Sequence, residues 1–162
     1  MALGCNLPGA YTSREALLEA AVAAFPTVGL EVVTRSGWWA SAAWPDPSGP
    51  AYLNGVAVVR TRLSPREVLD VLHELEARFG RARTEANAPR TLDLDLIAYG
   101  RTVQDDGLVV PHPRAHQRLF VMGPLSELYS GWTHPVTGEP AFRLAATATV
   151  GQDARPIAAP TA

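Results

Sequence analysis

The chain has 162 residues, of which 47% are hydrophobic and 19% charged. That fits one soluble globular domain able to bury about two-thirds of its unfolded surface. A formal charge of −2 excludes a polyanion-binding surface spread over the whole molecule, though not a single basic pocket. No apolar run approaches the roughly 20 residues that cross a bilayer, and no charged-then-apolar leader opens the chain. One cysteine, Cys5, cannot found a disulfide framework, so a reducing cytoplasm is the expected setting.

In chain order, Met1–Leu3 is a short apolar start running into the turn-rich Gly4-Cys5-Asn6-Leu7-Pro8-Gly9. Thr12-Ser13-Arg14-Glu15 has the spacing of a capping box, and Leu17, Leu18, Ala21, Val22 and Phe25 then give an amphipathic helix that stops at Pro26. Leu30 to Trp39 reads as a strand, and the Pro- and Gly-rich stretch from Ala42 to Ala51 as a long loop of the binding kind. Tyr52 to Leu63 is a second strand. Ser64-Pro65-Arg66-Glu67 opens a helix with cap, first-turn proline and closing glutamate. Leu69, Leu72, Leu75 and Phe79 predict its buried stripe, and Gly80 its end. A loop with Arg81, Arg83 and Arg90 leads to the run Thr91-Leu92-Asp93-Leu94-Asp95-Leu96-Ile97-Ala98. Leu108–Val110 is a short strand, and Arg118 to Leu128 a helix interrupted or started near Pro124. The Ala- and Pro-rich residues 151–162 read as a disordered tail to a domain of residues 1–150.

The order β-α-β-β-α-β predicts an α+β fold of the ferredoxin-like kind, a single domain with helices on one face of a mainly antiparallel sheet.

The chemistry concentrates at residues 92–98. Strand side chains alternate faces, so Leu92, Leu94, Leu96 and Ala98 share one and Asp93 and Asp95 the other. Asp is depleted in strands. Two of them at i and i+2 either wet an exposed face or grip one or two hard cations. Arg81 and Arg83 follow a helix C-terminus, where the dipole favours cations. With Arg90 they also make a positive rim beside the acidic pair, a mixture that suits a metal-bound polyphosphate. His112, held between Pro111 and Pro113 near Arg114 and Arg118, is either a structural hydrogen-bonding group or a phosphate contact. Tyr52, Phe120 and the group Trp38, Trp39 and Trp44 are core or a stacking clamp for a flat heterocycle, with Asn54 offering donor and acceptor to its edge. No P-loop, nucleophile elbow or kinase catalytic loop is present.

Gly4-Cys5-Asn6-Leu7, Tyr52-Leu53-Asn54, Pro89-Arg90-Thr91-Leu92-Asp93-Leu94-Asp95 and Val110-Pro111-His112-Pro113 through Arg118-Leu119-Phe120 resemble, colinearly from about residue 3 to 138, the 6-hydroxymethyl-7,8-dihydropterin pyrophosphokinases of folate biosynthesis. The resemblance implies diphosphoryl transfer from ATP, the co-substrate, to the pterin's hydroxymethyl oxygen with release of AMP. It implies two Mg²⁺ ions on Asp93 and Asp95, which with Arg81 and Arg90 form the catalytic set. By the same resemblance Glu76, Arg81, Arg83, Arg90, His112 and Arg118 line the nucleotide, and Ser41, Ala42, Trp44, Tyr52, Asn54 and Phe120 the pterin. The expected partners are ATP and the pterin, with no nucleic acid and no membrane, for a cytoplasmic monomer. Two-metal nucleotidyl transfer on the same D-x-D strand is the rival enzymatic reading. A single-stranded RNA module is the non-enzymatic one, opposed by the paired Asp and the net charge.

Overall fold

At the centre of the sheet lie β1 (Ala2–Cys5) and β4 (Tyr52–Arg60), in a computed structural model that describes residues 1–43, 46–80 and 91–158. β1 pairs with β4 on one side and with β5 (Asp93–Asp95) on the other. Beyond β4 come β2 (Glu31–Arg35) along its second half and β3 (Trp39–Ser41) along its first. β8 (Arg155–Pro156) closes that edge by pairing with β3. All these pairs are antiparallel. With β2 and β3 taken as one interrupted strand, the order is that of the expected ferredoxin-like unit.

The single strand expected from Leu30 to Trp39 breaks at Ser36. The Ser36 N–H donates to Val56 O at 2.9 Å, and its hydroxyl accepts from Val56 N at 3.0 Å. Trp38 then lies flat on Gly55, where a Cβ would sit 2.5 Å from the ring. β4 stops at Arg60, short of the expected Leu63.

One face of the sheet is covered by α1 (Arg14–Ala24) and α2 (Pro65–Arg78), over Leu3, Cys5, Leu53, Ala57, Leu92 and Leu94. The cap of α1 is Ser13, whose hydroxyl accepts from Ala16 N at 3.0 Å, one residue later than the box predicts. Glu15 therefore falls in the first turn, where the dipole favours it. A 3₁₀ turn, Phe25–Val28, carries Pro26 and ends at Gly29 with φ of 84°. In α2 the Ser64–Glu67 box forms with both reciprocal bonds, and Gly80 follows at φ of 85°. The buried positions are Val68, Leu72, Leu75 and Glu76, while Leu69 and Phe79 are only partly covered. The stripe is thus rotated from the predicted one.

Helices occupy the second face as well, which corrects the one-sided arrangement. α3 (Leu119–Leu128) and α4 (Ala141–Thr147) pack there over Val56 and Ile97. α3 runs through Pro124 instead of starting at it. Trp39 faces this side and covers Gly123, and its indole donates to Glu127 Oε1 at 2.7 Å. The layer packs over the end of the face carrying Val56, and a cleft lies between the first turn of α3 and the end carrying Asp93, Gly4 and Tyr52.

The acidic strand is shorter than its alternation predicts. Leu92, Leu94 and Leu96 are buried as expected, but Ile97 is buried too and only Asp93–Asp95 form ladder bonds. The ladder with β1 runs no further than Ala2 opposite Asp95, and among the described residues Leu96–Ala98 pair with no strand. A cavity of about 460 Å³ opens there, lined by Val58, Val59, Ala98, Tyr99, Leu125 and Trp132 among others. A small hairpin of β6 (Gln104–Asp105) and β7 (Val109–Val110) follows.

The disordered-tail expectation does not hold for residues 151–158. β8 pairs Arg155 with Ala40 and Pro156 with Trp39, and Ala154 is buried. Ala and Pro leave few side-chain signals, but an open sheet edge needs only backbone partners.

Candidate active site

The register puts the site together. Asp95 lies opposite Ala2, Asp93 opposite Gly4, Gly4 opposite Asn54, and Tyr52 opposite Ser41. All these residues share the face away from α1 and α2, because their strand neighbours Leu3, Leu53 and Leu94 enter that core. They line a cleft of about 200 Å³ with Ala42, Arg118, Phe120 and Val121. One wall is the sheet and the other is the first turn of α3.

Asn54 and Ser41 are buried and tied to each other, the Asn54 amide donating to Ser41 Oγ at 3.0 Å. Gly4 must be small here, since a Cβ would approach Asn54 Oδ1 to 3.0 Å. Phe120 holds its place by lying on Gly151, and the Arg118 guanidinium sits 5.7 Å from the Phe120 ring centre. The Ala42 N–H donates to Asp153 Oδ2 at 2.6 Å.

His112 is brought to the acidic strand by its own backbone, whose N–H donates to Ile97 O at 2.7 Å. Its Nδ1 accepts from Arg114 N at 3.1 Å, so any ring proton resides on Nε2. Burial lowers its pKa below the ordinary value. Asp95 pulls the other way, Arg118 and Arg114 push it further down, and Asp93 opposes them weakly. The imidazole is therefore neutral near pH 7 and lies within the field of both carboxylates and of Arg118.

Of the predicted residues, Asp93, Asp95, Ser41, Ala42, Tyr52, Asn54, Phe120 and Arg118 meet in one cleft. His112 stands in electrostatic reach of it. Glu76 lies on the buried stripe of α2, outside the lining of the cleft. Arg81, Arg83, Arg90 and Trp44 fall outside the described residues. Gly4, Gly151 and Asp153 were not predicted. Gly4 could have been found from its place opposite Asn54 once the β1–β4 register was known. Asp153 gave no signal beyond a Gly-x-Asp turn.

Asp93 and Asp95 offer hard oxygen donors to a divalent cation. Among the described residues no group of three His, Cys, Asp or Glu could hold a metal. A pair of carboxylates without a third protein ligand fits Mg²⁺, which keeps waters and binds through one or two carboxylates plus substrate phosphates. No described helix is long and apolar enough to cross a membrane.

A protein-family model described as 7,8-dihydro-6-hydroxymethylpterin-pyrophosphokinase (HPPK) matches residues 1–130. The chain is 43% identical over 129 residues to a 2-amino-4-hydroxy-6-hydroxymethyldihydropteridine pyrophosphokinase of Synechocystis sp., covering 78% of this chain and 66% of that protein. Proteins of the same name are 38% identical in Methylorubrum extorquens, over 63% of this chain and 65% of theirs, and 38% identical in Haemophilus influenzae, over 83% of each. The matched stretch thus spans about two thirds of the first two relatives and more of the third.

Proposed function

This chain belongs to the 7,8-dihydro-6-hydroxymethylpterin-pyrophosphokinase family, and on that premise we propose that it transfers a diphosphoryl group from ATP to 6-hydroxymethyl-7,8-dihydropterin, a step of folate biosynthesis. The observation that supports this most is that Asp93 and Asp95 open into the same cleft as Tyr52, Asn54 and Phe120. A metal-binding pair and a pocket for a flat ring thereby share one space, which a transfer between a nucleotide and a heterocycle requires.

In this reading the rings of Tyr52 and Phe120 stack on the pterin, and the Asn54 amide, fixed by Ser41, binds its edge. The backbone of Ser41, Ala42 and Trp44 completes that side. Asp93 and Asp95 hold two Mg²⁺ ions, which when bound neutralise charge on the triphosphate. Arg118 and His112 face the same phosphates from the α3 side. Arg81, Arg83 and Arg90, which stand in sequence between α2 and β5, take the remaining charge, with Glu76 alongside them on the nucleotide. The pterin hydroxymethyl oxygen attacks the β-phosphorus in line. The bond from that phosphorus to the oxygen bridging it to the α-phosphorus breaks, AMP leaves, and the hydroxyl proton is released to solvent. Among the described residues no side chain of the cleft is assigned as a dedicated base, so positioning supplies much of the acceleration, up to about 7–11 kcal/mol.

The test is AMP formation from ATP, the pterin and Mg²⁺ by the wild-type chain and by Asp95→Ala. AMP with pterin diphosphate is expected from the first, and loss of both from a folded Asp95→Ala. Release of inorganic pyrophosphate in their place would favour nucleotidyl transfer and overturn the reading.

A further inference from the structure

Beyond residue 130, where the family match ends, the chain returns to the cleft. Thr149 N and Val150 N both donate to Gln117 O, at 3.1 and 2.9 Å, and Leu119 N donates to Val150 O at 2.9 Å. Residues 149–150 are thereby stapled to the entrance of α3. A turn follows in which Ala154 N donates to Gly151 O at 2.9 Å. Within that turn, Gly151 has φ of 68° and lies under the Phe120 ring, with an added Cβ only 2.5 Å from Cδ1. Two residues on, Asp153 accepts from Ala42 N at 2.6 Å across the mouth. β8 then pairs with β3, and Ile157 N donates to Trp38 O at 3.0 Å.

One short turn therefore touches both walls of the cleft. Gly151 sets how far the Phe120 ring stands back, and Asp153 sets where the chain leaving β3 lies. Ala42 follows the last residue of β3 and is exposed, so among the described residues the Asp153 bond is the hydrogen bond that its N–H makes. A carboxylate accepting from a backbone N–H makes a charge-assisted bond, stronger than a neutral one. We infer that residues 149–157 are a strap that fixes the width of the pterin cleft, with Asp153 as a positioning residue acting through Ala42. This rests on the activity proposed above for that cleft.

The experiment compares wild type, Asp153→Ala and Asp153→Asn, the last keeping a side-chain oxygen as acceptor. Amide exchange at Ala42, without substrate, reads the clamp. Steady-state kinetics with each substrate varied reads its consequence. Asp153→Ala is expected to lose protection at Ala42 and to raise the pterin KM roughly tenfold, the factor that 1.4 kcal/mol represents. The ATP KM, kcat at saturation and the thermal midpoint should stay near wild type, and Asp153→Asn should recover most of the pterin KM. A purely structural contact would instead move the thermal midpoint and both KM values together. Unchanged protection at Ala42 overturns the clamp, and lost protection with an unchanged pterin KM overturns its positioning role. A wild-type chain that releases no AMP overturns the activity reading alone, and the exchange arm still decides whether Asp153 clamps Ala42.

Discussion

Gly4 faces Asn54 across the β1–β4 ladder, and a Cβ on Gly4 would stand 3.0 Å from Asn54 Oδ1 and 3.4 Å from Leu53 O. The Asn54 amide cannot swing freely away, because its nitrogen is bonded to Ser41 Oγ. Gly4→Ala should therefore turn the amide out of line with the edge of a bound pterin while leaving the sheet paired. We expect weaker pterin binding, with nucleotide binding and the unfolding midpoint close to wild type. Titration with the pterin and, separately, with a non-hydrolysable ATP analogue measures this. An equal loss for both ligands would mean that β1 has moved and that Asn54 is not the cause.

On the same face of the sheet, Trp39, which pairs with Asn54, covers Gly123 so closely that a Cβ would lie 2.5 Å from the indole. Both groups are held, the ring by Glu127 and the glycine by the helix around it. Overpacking of a fixed contact costs typically about 1–3 kcal/mol. Gly123→Ala should lower stability by that order in urea unfolding, whereas Glu127→Ala, which removes only an exposed bond, should cost less. Gly55→Ala, against Trp38, should behave as Gly123→Ala does.

These contacts show which parts of the molecule were legible in the sequence. The facing of Asp93 and Asp95 was legible because alternation belongs to the backbone and needs no knowledge of the neighbour. The Ser64–Glu67 box was legible because both partners lie within four residues. The cap at Ser13 in place of Thr12 was not, since two adjacent hydroxyl residues compete and the packing of Leu17 and Leu18 decides the phase. The pleat beyond Leu96 depends on pairing with β1, more than 90 positions earlier in the chain. The strap was hidden most completely. Its binding is through backbone groups and one carboxylate, and an Ala- and Pro-rich composition says nothing about an edge waiting to be paired.

Cys5 lies in the core with no exposed surface, and burial pushes its thiol up to about 12, with Arg14 opposing and Glu15 adding to the effect. Thiolate is the reactive form. Iodoacetamide at pH 8 should leave Cys5 unmodified in the folded protein and label it fully in denaturant. Labelling that follows the unfolding curve supports this assignment. Rapid labelling of the native chain would show β1 opening from β4.

His134 gives the molecule a stability that depends on pH. Its Nδ1 accepts from Val136 N and Thr137 N, both at 3.2 Å, and must stay unprotonated to do so. Burial first, then the His116 ring and Arg101, lower its pKa below the ordinary value. The folded state thus binds fewer protons than the unfolded one, and stability rises with pH across that interval. The contribution is complete above about pH 6.5, the unperturbed value, and is lost as the pH falls through the folded one. His112 shifts in the same direction and remains in both proteins of the comparison. Urea unfolding at pH 7.5 and 5.5 should therefore show a larger loss for wild type than for His134→Asn, whose side-chain oxygen can still accept from the turn without titrating. Equal losses would place the acid sensitivity at His112 and the carboxylates, and leave the 132–140 turn indifferent to protonation.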